Sequence, residues 1–148
     1  NADYAAALLA DVDEAQMIAQ PDKGTNHPAW LLSHMNAYHP LIADLLRGQT
    51  PDDPIDHPFG MKSSPVANAS VYAAKDELLG TWSTGHEDVA AALSAATDET
   101  LARPMPLSRM AGRFPTVGAS LVYLMARHES LHLGQLSTWR RGMHLPRV

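Results

Sequence analysis

The chain has 148 residues, of which 45% are hydrophobic and 18% charged, and it carries a net charge of -5. This length suits one domain, residues 1–148, and the acidic balance argues against nucleic acid as a partner. The lack of cysteine excludes disulfides and thiolate ligands, and the absence of a long apolar run or a signal peptide predicts a cytoplasmic protein with no membrane partner.

Apolar residues at helical spacing predict four helices, near residues 4–19, 28–47, 72–96 and 116–142. Pro40 lies inside the second of these and is expected to kink it, because proline has no N–H for the helical ladder. A long connection, residues 49–68, is rich in proline and has few periodic apolar positions, as functional connections often do. Four amphipathic helices with this long crossover between the second and third predict an all-α four-helix bundle.

Two histidines near the C-terminus, His128 and His132, are four residues apart in the fourth predicted helix. Residues with this spacing lie one turn apart on one helix face, so both imidazoles can reach a single ion. Two rings on a buried stripe would each need a polar partner, and a shared cation would satisfy both. The pair therefore predicts a metal site.

A stable metal site needs a third protein ligand, and His34 on the inward face of the second helix is the best candidate. His39 is five residues further along, about 140° around the helix, and is expected at the solvated surface. His57 is the residue of the long connection best able to bend over an open site. Structural positions are expected for His27, which precedes the second helix and can cap it, His86 and His144.

The segment His128-Glu129-Ser130-Leu131-His132 also fits the H-E-x-x-H signature of zinc hydrolases, in which the glutamate is the general base. Those enzymes use a further ligand downstream, but residues 133–148 contain no Asp or Glu. Glu129 is about 100° from His128 around the helix and is expected in a surface salt bridge with an arginine. On this interpretation Glu129→Gln leaves the metal content nearly unchanged, and a metal-dependent hydrolase stays an alternative.

The histidine pattern resembles that of the DinB-like superfamily of metal-dependent proteins. His34, within Asn26-His27-Pro28-Ala29-Trp30-Leu31-Leu32-Ser33-His34-Met35, is followed far downstream by His128-x-x-x-His132-x-Gly134-Gln135-Leu136. The resemblance covers essentially the whole chain. It departs at Leu131, where many members have a second histidine, and the first helix is short for the family, consistent with N-terminal residues missing from this sequence.

The resemblance implies an up-down-down-up bundle, a homodimer, and a divalent metal such as nickel, zinc or iron bound by His34, His128 and His132. Characterised relatives include thiol-dependent enzymes that act with mycothiol or bacillithiol. We therefore expect a metal-dependent transferase or isomerase that acts on a small-molecule substrate with a low-molecular-weight thiol. The alternative from another class is a non-catalytic, stress-associated module in which the metal is structural or sensory.

Coordination and surroundings distinguish an enzyme from a binding module. An open position on the ion, beside a pocket lined by Trp30, Met35 or Phe59, would favour chemistry, whereas a fourth protein ligand would favour a structural role. The candidate anchors for a substrate carboxylate are Arg109, Arg113 and Arg127.

Overall fold

The computed structural model describes residues 1–148, and its regular structure is helical. The only extended pairing is an isolated bridge between Pro104 and Thr116, so the predicted all-α class is confirmed. None of the helices combines the length and the apolar character needed to cross a membrane. The elements in chain order are α1 (Ala2–Leu9), α2 (Pro28–Asn36), α3 (His39–Leu46), α4 (Lys75–Ala95), α5 (Asp98–Ala102), α6 (Ser108–Ala111), α7 (Val117–Leu121), a π-helical segment (Val122–His128) and α8 (Glu129–Gly142).

The first predicted helix, residues 4–19, is interrupted. Helix α1 ends at Leu9, and the next regular element is a 3-10 turn at Gln16–Ile18. The cause is local, because the Asp13 N–H donates to the Gln16 side chain (2.9 Å) and the Gln16 N–H donates to the Asp13 carboxylate (2.8 Å). Such reciprocal side-chain bonds begin a new turn instead of continuing the old helix.

The second predicted helix, residues 28–47, consists of two helices, α2 and α3, separated at residues 37–38. Pro40 lies in the first turn of α3, where its missing N–H is tolerated, so the predicted kink is a complete break. The His27 ring caps α2, since its Nδ1 accepts a hydrogen bond from the Trp30 N–H at 3.2 Å. Because of this break, the directions of side chains in α3 do not follow from those in α2.

The third and fourth predicted helices lie close to their expected bounds. Helix α4 occupies most of residues 72–96, and α7, the π-helical segment and α8 together occupy most of residues 116–142. The Thr116 hydroxyl caps α7 by accepting from the Ala119 N–H at 3.2 Å. The π-helical segment was not predicted; its wider turns change the helical phase before His128, its last residue.

The core is divided into two apolar clusters. The first cluster joins α1, α2, the start of α4 and α8, and the second joins α3, the end of α4 and α7. On α4, Trp82 belongs to the first cluster and Val89 to the second, with His86 between them. We call the ionisable residues at this boundary the polar layer; they are His34, His39, His86, His128, Glu129 and His132.

Two glycines of α4 predict opposite effects of alanine. A Cβ at Gly80 would meet nothing within 4 Å, whereas a Cβ at Gly85 would collide with the His39 ring. We expect Gly80→Ala to stabilise the protein by about 0.5–1 kcal/mol through helix propensity. We expect Gly85→Ala to destabilise it by about 1–3 kcal/mol through overpacking. Urea unfolding measures both, and equal stability of the two variants would contradict the packing of His39 on α4.

Candidate metal centre

The structure brings the three predicted ligands together from separate parts of the chain. His34 lies in α2, His128 ends the π-helical segment, and His132 lies one turn later in α8. The Nε2 atom of His128 is 3.1 Å from Nε2 of His34 and 3.1 Å from Nε2 of His132. Two nitrogens that each bind one zinc-sized ion at about 2.0–2.1 Å are roughly 3.0–3.4 Å apart, so this spacing fits a shared ion.

Hydrogen bonds on the far side of two rings fix which nitrogen carries the proton. The Nδ1 of His34 lies 2.7 Å from the Phe59 carbonyl oxygen, which can only accept, so this Nδ1 carries hydrogen. The Nδ1 of His132 lies 2.9 Å from the amide oxygen of Gln135 and donates to it in the same way. Both Nε2 lone pairs therefore converge on His128, and a cation at this point would satisfy them.

Burial keeps the three imidazoles neutral. Burial, reinforced by nearby His132, lowers the pKa of His34 to about 4. Burial, together with His132 and His34, lowers the pKa of His128 to about 3. The pKa of His132 is also lowered, chiefly by burial. Neutral imidazole is the form that binds metal, so the donor set is ready at neutral pH.

The three histidines line a pocket of about 430 Å³ with largely apolar walls. Trp30 lines it and stacks on the His34 ring, with centroids 4.8 Å apart. Met35 is instead buried in the first cluster, and Phe59 stacks on Tyr72. A wider surface cleft of about 500 Å³ lies elsewhere and is lined by no histidine or carboxylate. The 430 Å³ pocket is thus the one in which a small molecule would meet the metal centre.

The three candidate anchors have different surroundings. Arg109 lines the pocket but is held by Asp53, with N–O distances of 2.8 and 2.6 Å. Arg113 also lines the pocket, lies over the Phe114 and Tyr123 rings at 5.3 and 5.0 Å, and has no carboxylate partner. Arg127 does not line it. Arg113 is therefore the pocket arginine whose charge is not already paired with a carboxylate.

The expectation for His39 was wrong. His39 is only 6% exposed, because the break between α2 and α3 invalidates the angle calculated for a continuous helix. Its ring lies 4.7 Å from that of His86 and presses against α4 at Gly85.

The expectation of a surface salt bridge for Glu129 was also wrong. Glu129 is 8% exposed and pairs with His86, whose Nε2 is 3.0 Å from the carboxylate, and not with an arginine. Burial of His86 opposes its charged form, but hydrogen bonds to Glu129 and to the Trp82 carbonyl outweigh this and raise its pKa. Glu129 does not line the three-histidine pocket, so it lies away from that centre as expected.

The other histidines, His27, His57 and His144, lie outside the polar layer. His57 is exposed, accepts a hydrogen bond from the Phe59 N–H at 3.1 Å and does not line the pocket. His144 is exposed beyond α8. His27 is fully buried, where its Nε2 lies 3.2 Å from the Val66 carbonyl oxygen. These positions agree with structural roles.

Comparison with known proteins gives one match. A family model described as DinB superfamily matches residues 1–136, a span that includes His34, His128 and His132. No curated protein and no solved structure matched the chain.

The lowered pKa values predict acid sensitivity of the metal-free protein. His34 and His128 resist protonation when folded, whereas in the unfolded chain they protonate near the ordinary pKa of 6.5. The unfolded state therefore binds more protons below that pH, and stability is lost as the pH falls from about 6.5 towards 4. We expect the free energy of unfolding to be lower at pH 5 than at pH 7 by at least about 2 kcal/mol.

Urea unfolding of metal-free protein at both pH values measures this difference. The matched control is a His34→Gln/His128→Gln variant, in which the loss between pH 7 and pH 5 should be smaller. An identical loss in the variant would show that other groups cause the acid sensitivity.

Proposed function

Since the chain belongs to the DinB superfamily, we propose that it is a metal-dependent enzyme acting on a small molecule at His34, His128 and His132. The observation that carries this proposal is the convergence of three neutral imidazoles on one wall of a 430 Å³ pocket. No carboxylate or further histidine joins this group, which leaves coordination positions for water or substrate.

The donor set suits nickel, zinc or iron, because imidazole is a good ligand for all three. Three neutral ligands leave the charge of the ion uncompensated, and the chemistry that it supplies when bound is stabilisation of an ionised thiol or water. The chain itself orients two of the ligands. The Phe59 carbonyl oxygen accepts a hydrogen bond from Nδ1 of His34, and the Gln135 amide oxygen accepts one from Nδ1 of His132.

The proposed reaction is thiol-dependent transfer or isomerisation. The chain has no cysteine, so the thiol must come from a low-molecular-weight cofactor that enters the pocket. In a transfer reaction the sulfur forms a bond to an electrophilic carbon, the leaving group departs with its electron pair, and the thiol proton is released to solvent.

Side chains around the pocket can hold the substrate. The free Arg113 guanidinium is suited to a carboxylate. Burial raises the pKa of Tyr38, whose ring centroid is 4.9 Å from that of His128. Its hydroxyl therefore stays protonated and can donate a hydrogen bond to a bound molecule.

The two alternatives have less support. A hydrolase of the H-E-x-x-H type needs Glu129 beside the water of the metal, and this carboxylate contacts His86 instead. A non-catalytic module has no need of a pocket beside the metal, nor of the unpaired Arg113 in its wall.

The arrangement proposed for the helices is an up-down-down-up four-helix bundle, and the proposed assembly is a homodimer. Contacts of α4 with α2 and α3, and of α8 with α1 and α2, support a bundle. Val122 and Leu131 support a dimer, because these apolar side chains are 70% and 57% exposed along the last long helical stretch.

Removal of a ligand tests the metal centre. We expect His34→Ala to abolish metal binding at the three-histidine site, because two imidazoles alone do not make a stable site. Elemental analysis after dialysis against nickel or zinc measures the total bound metal, which should fall by one equivalent per chain in His34→Ala and stay at the wild-type level in the control His57→Ala. Loss of one equivalent in His57→Ala, with no loss in His34→Ala, would show that His57 and not His34 is the third ligand.

Substitution of Arg113 tests the enzyme proposal. Metal-loaded protein would be assayed with a panel of carboxylate-bearing thiols and alkylating electrophiles. We expect Arg113→Met to raise KM by about 10-fold or more while kcat changes little, because one charge-assisted contact to the substrate is lost. Arg127→Met, outside the pocket, should leave KM unchanged. Absence of turnover with every thiol would favour the non-catalytic module.

A further inference from the structure

A second group of potential metal ligands lies in the polar layer. His39 begins α3, His86 is in the middle of α4, and Glu129 begins α8. Their ligand atoms all lie within 4.8 Å of one another. The sequence separates these residues widely, and three different helices bring them to one point.

The hydrogen bonds of His86 leave a conflict that a cation would remove. Its Nδ1 lies 3.0 Å from the Trp82 carbonyl oxygen, which can only accept, so this nitrogen carries hydrogen. In the neutral ring, Nε2 then has a lone pair that faces a Glu129 carboxylate oxygen at 3.0 Å. Two facing lone pairs repel, and either a proton or a metal ion between them resolves the repulsion.

His39 distinguishes between a proton and a metal ion. A proton would satisfy His86 and Glu129 but would give His39 nothing. The His39 side chain makes no hydrogen bond, and its Nδ1 is buried without a partner although the residue is only 6% exposed. A buried nitrogen without a partner is costly, and because His39 has no hydrogen bond of its own, a ring nitrogen is available to coordinate an ion beside His86 and Glu129.

We propose that His39, His86 and Glu129 form a second metal site, distinct from the three-histidine site, which binds one borderline divalent ion such as zinc or ferrous iron. Two imidazoles and a carboxylate are a common three-ligand set for these ions, whereas magnesium and calcium prefer oxygen alone. A cavity of about 200 Å³ adjoins all three side chains and has room for water to complete the coordination.

The second site is on a different side of α8 from the first. His128 and Glu129 are consecutive, yet His128 faces His34 and Glu129 faces His86. Ile42, Val89 and Asn1 also line the second cavity, which is less than half the volume of the pocket at the first site. The second ion is therefore expected to stabilise the packing of α3, α4 and α8 and not to bind a substrate.

Zinc stoichiometry tests this inference. Metal-free protein would be dialysed against zinc and analysed for bound metal, with circular dichroism to confirm folding. We expect two equivalents in the wild type and one in each of Glu129→Gln, His86→Gln and His128→Gln. The double variant Glu129→Gln/His128→Gln should bind none, and His144→Gln, at an exposed histidine, should keep both. This revises the expectation that Glu129→Gln leaves metal content unchanged.

The outcomes separate the two sites. One equivalent in the wild type, lost in His128→Gln, would overturn the second site without any variant of it needing to fold. Two equivalents that persist in both Glu129→Gln and His86→Gln would overturn it as well. Loss of one equivalent in Glu129→Gln together with no loss in His128→Gln would support the second site while contradicting the metal centre on which the proposed function rests.

Discussion

The structure depends on how a layer of buried and half-buried ionisable side chains finds polar partners between two apolar clusters. Burying a polar group costs free energy unless it finds a partner, and here five imidazoles and one carboxylate occupy the boundary. Only part of the cost is met by hydrogen bonds, such as those of His34 to the Phe59 carbonyl and of His132 to Gln135. The Nε2 atoms of His34 and His132 have no such partner and each lie 3.1 Å from Nε2 of His128, a spacing that suits a shared metal ion.

Irregular helices are what direct these side chains to two separate points. The break between α2 and α3 gives His34 and His39 independent directions. The π-helical segment ends at His128, so the helical phase changes just before the chain reaches Glu129. His128 faces His34, whereas Glu129 faces His86. π-Helical turns are found frequently at functional sites. Regular, uninterrupted helices would therefore not be expected to produce the same arrangement.

Much of the three-histidine group could be predicted because it rests on local periodicity. The four-residue spacing of His128 and His132 sets their common face, and the apolar neighbours of His34 mark it as inward-facing. His39 could not be placed, because the angle between it and His34 holds only in a continuous helix. The partner of Glu129 was equally hidden, since His86 comes from another helix. The early end of α1 did have a sequence signal, because Asp13 and Gln16 have the spacing of a capping pair. A prediction from apolar periodicity alone does not take this signal into account.

The proposed function requires that a metal ion binds where the Nε2 atoms of His34, His128 and His132 converge. Diffraction from crystals grown with nickel or zinc, recorded at the absorption edge of the metal, tests it most directly. We expect an anomalous peak about 2.0–2.1 Å from all three nitrogens, with a further coordination position open to the pocket. An absent peak, or one bound only to surface histidines such as His57 and His144, would contradict it.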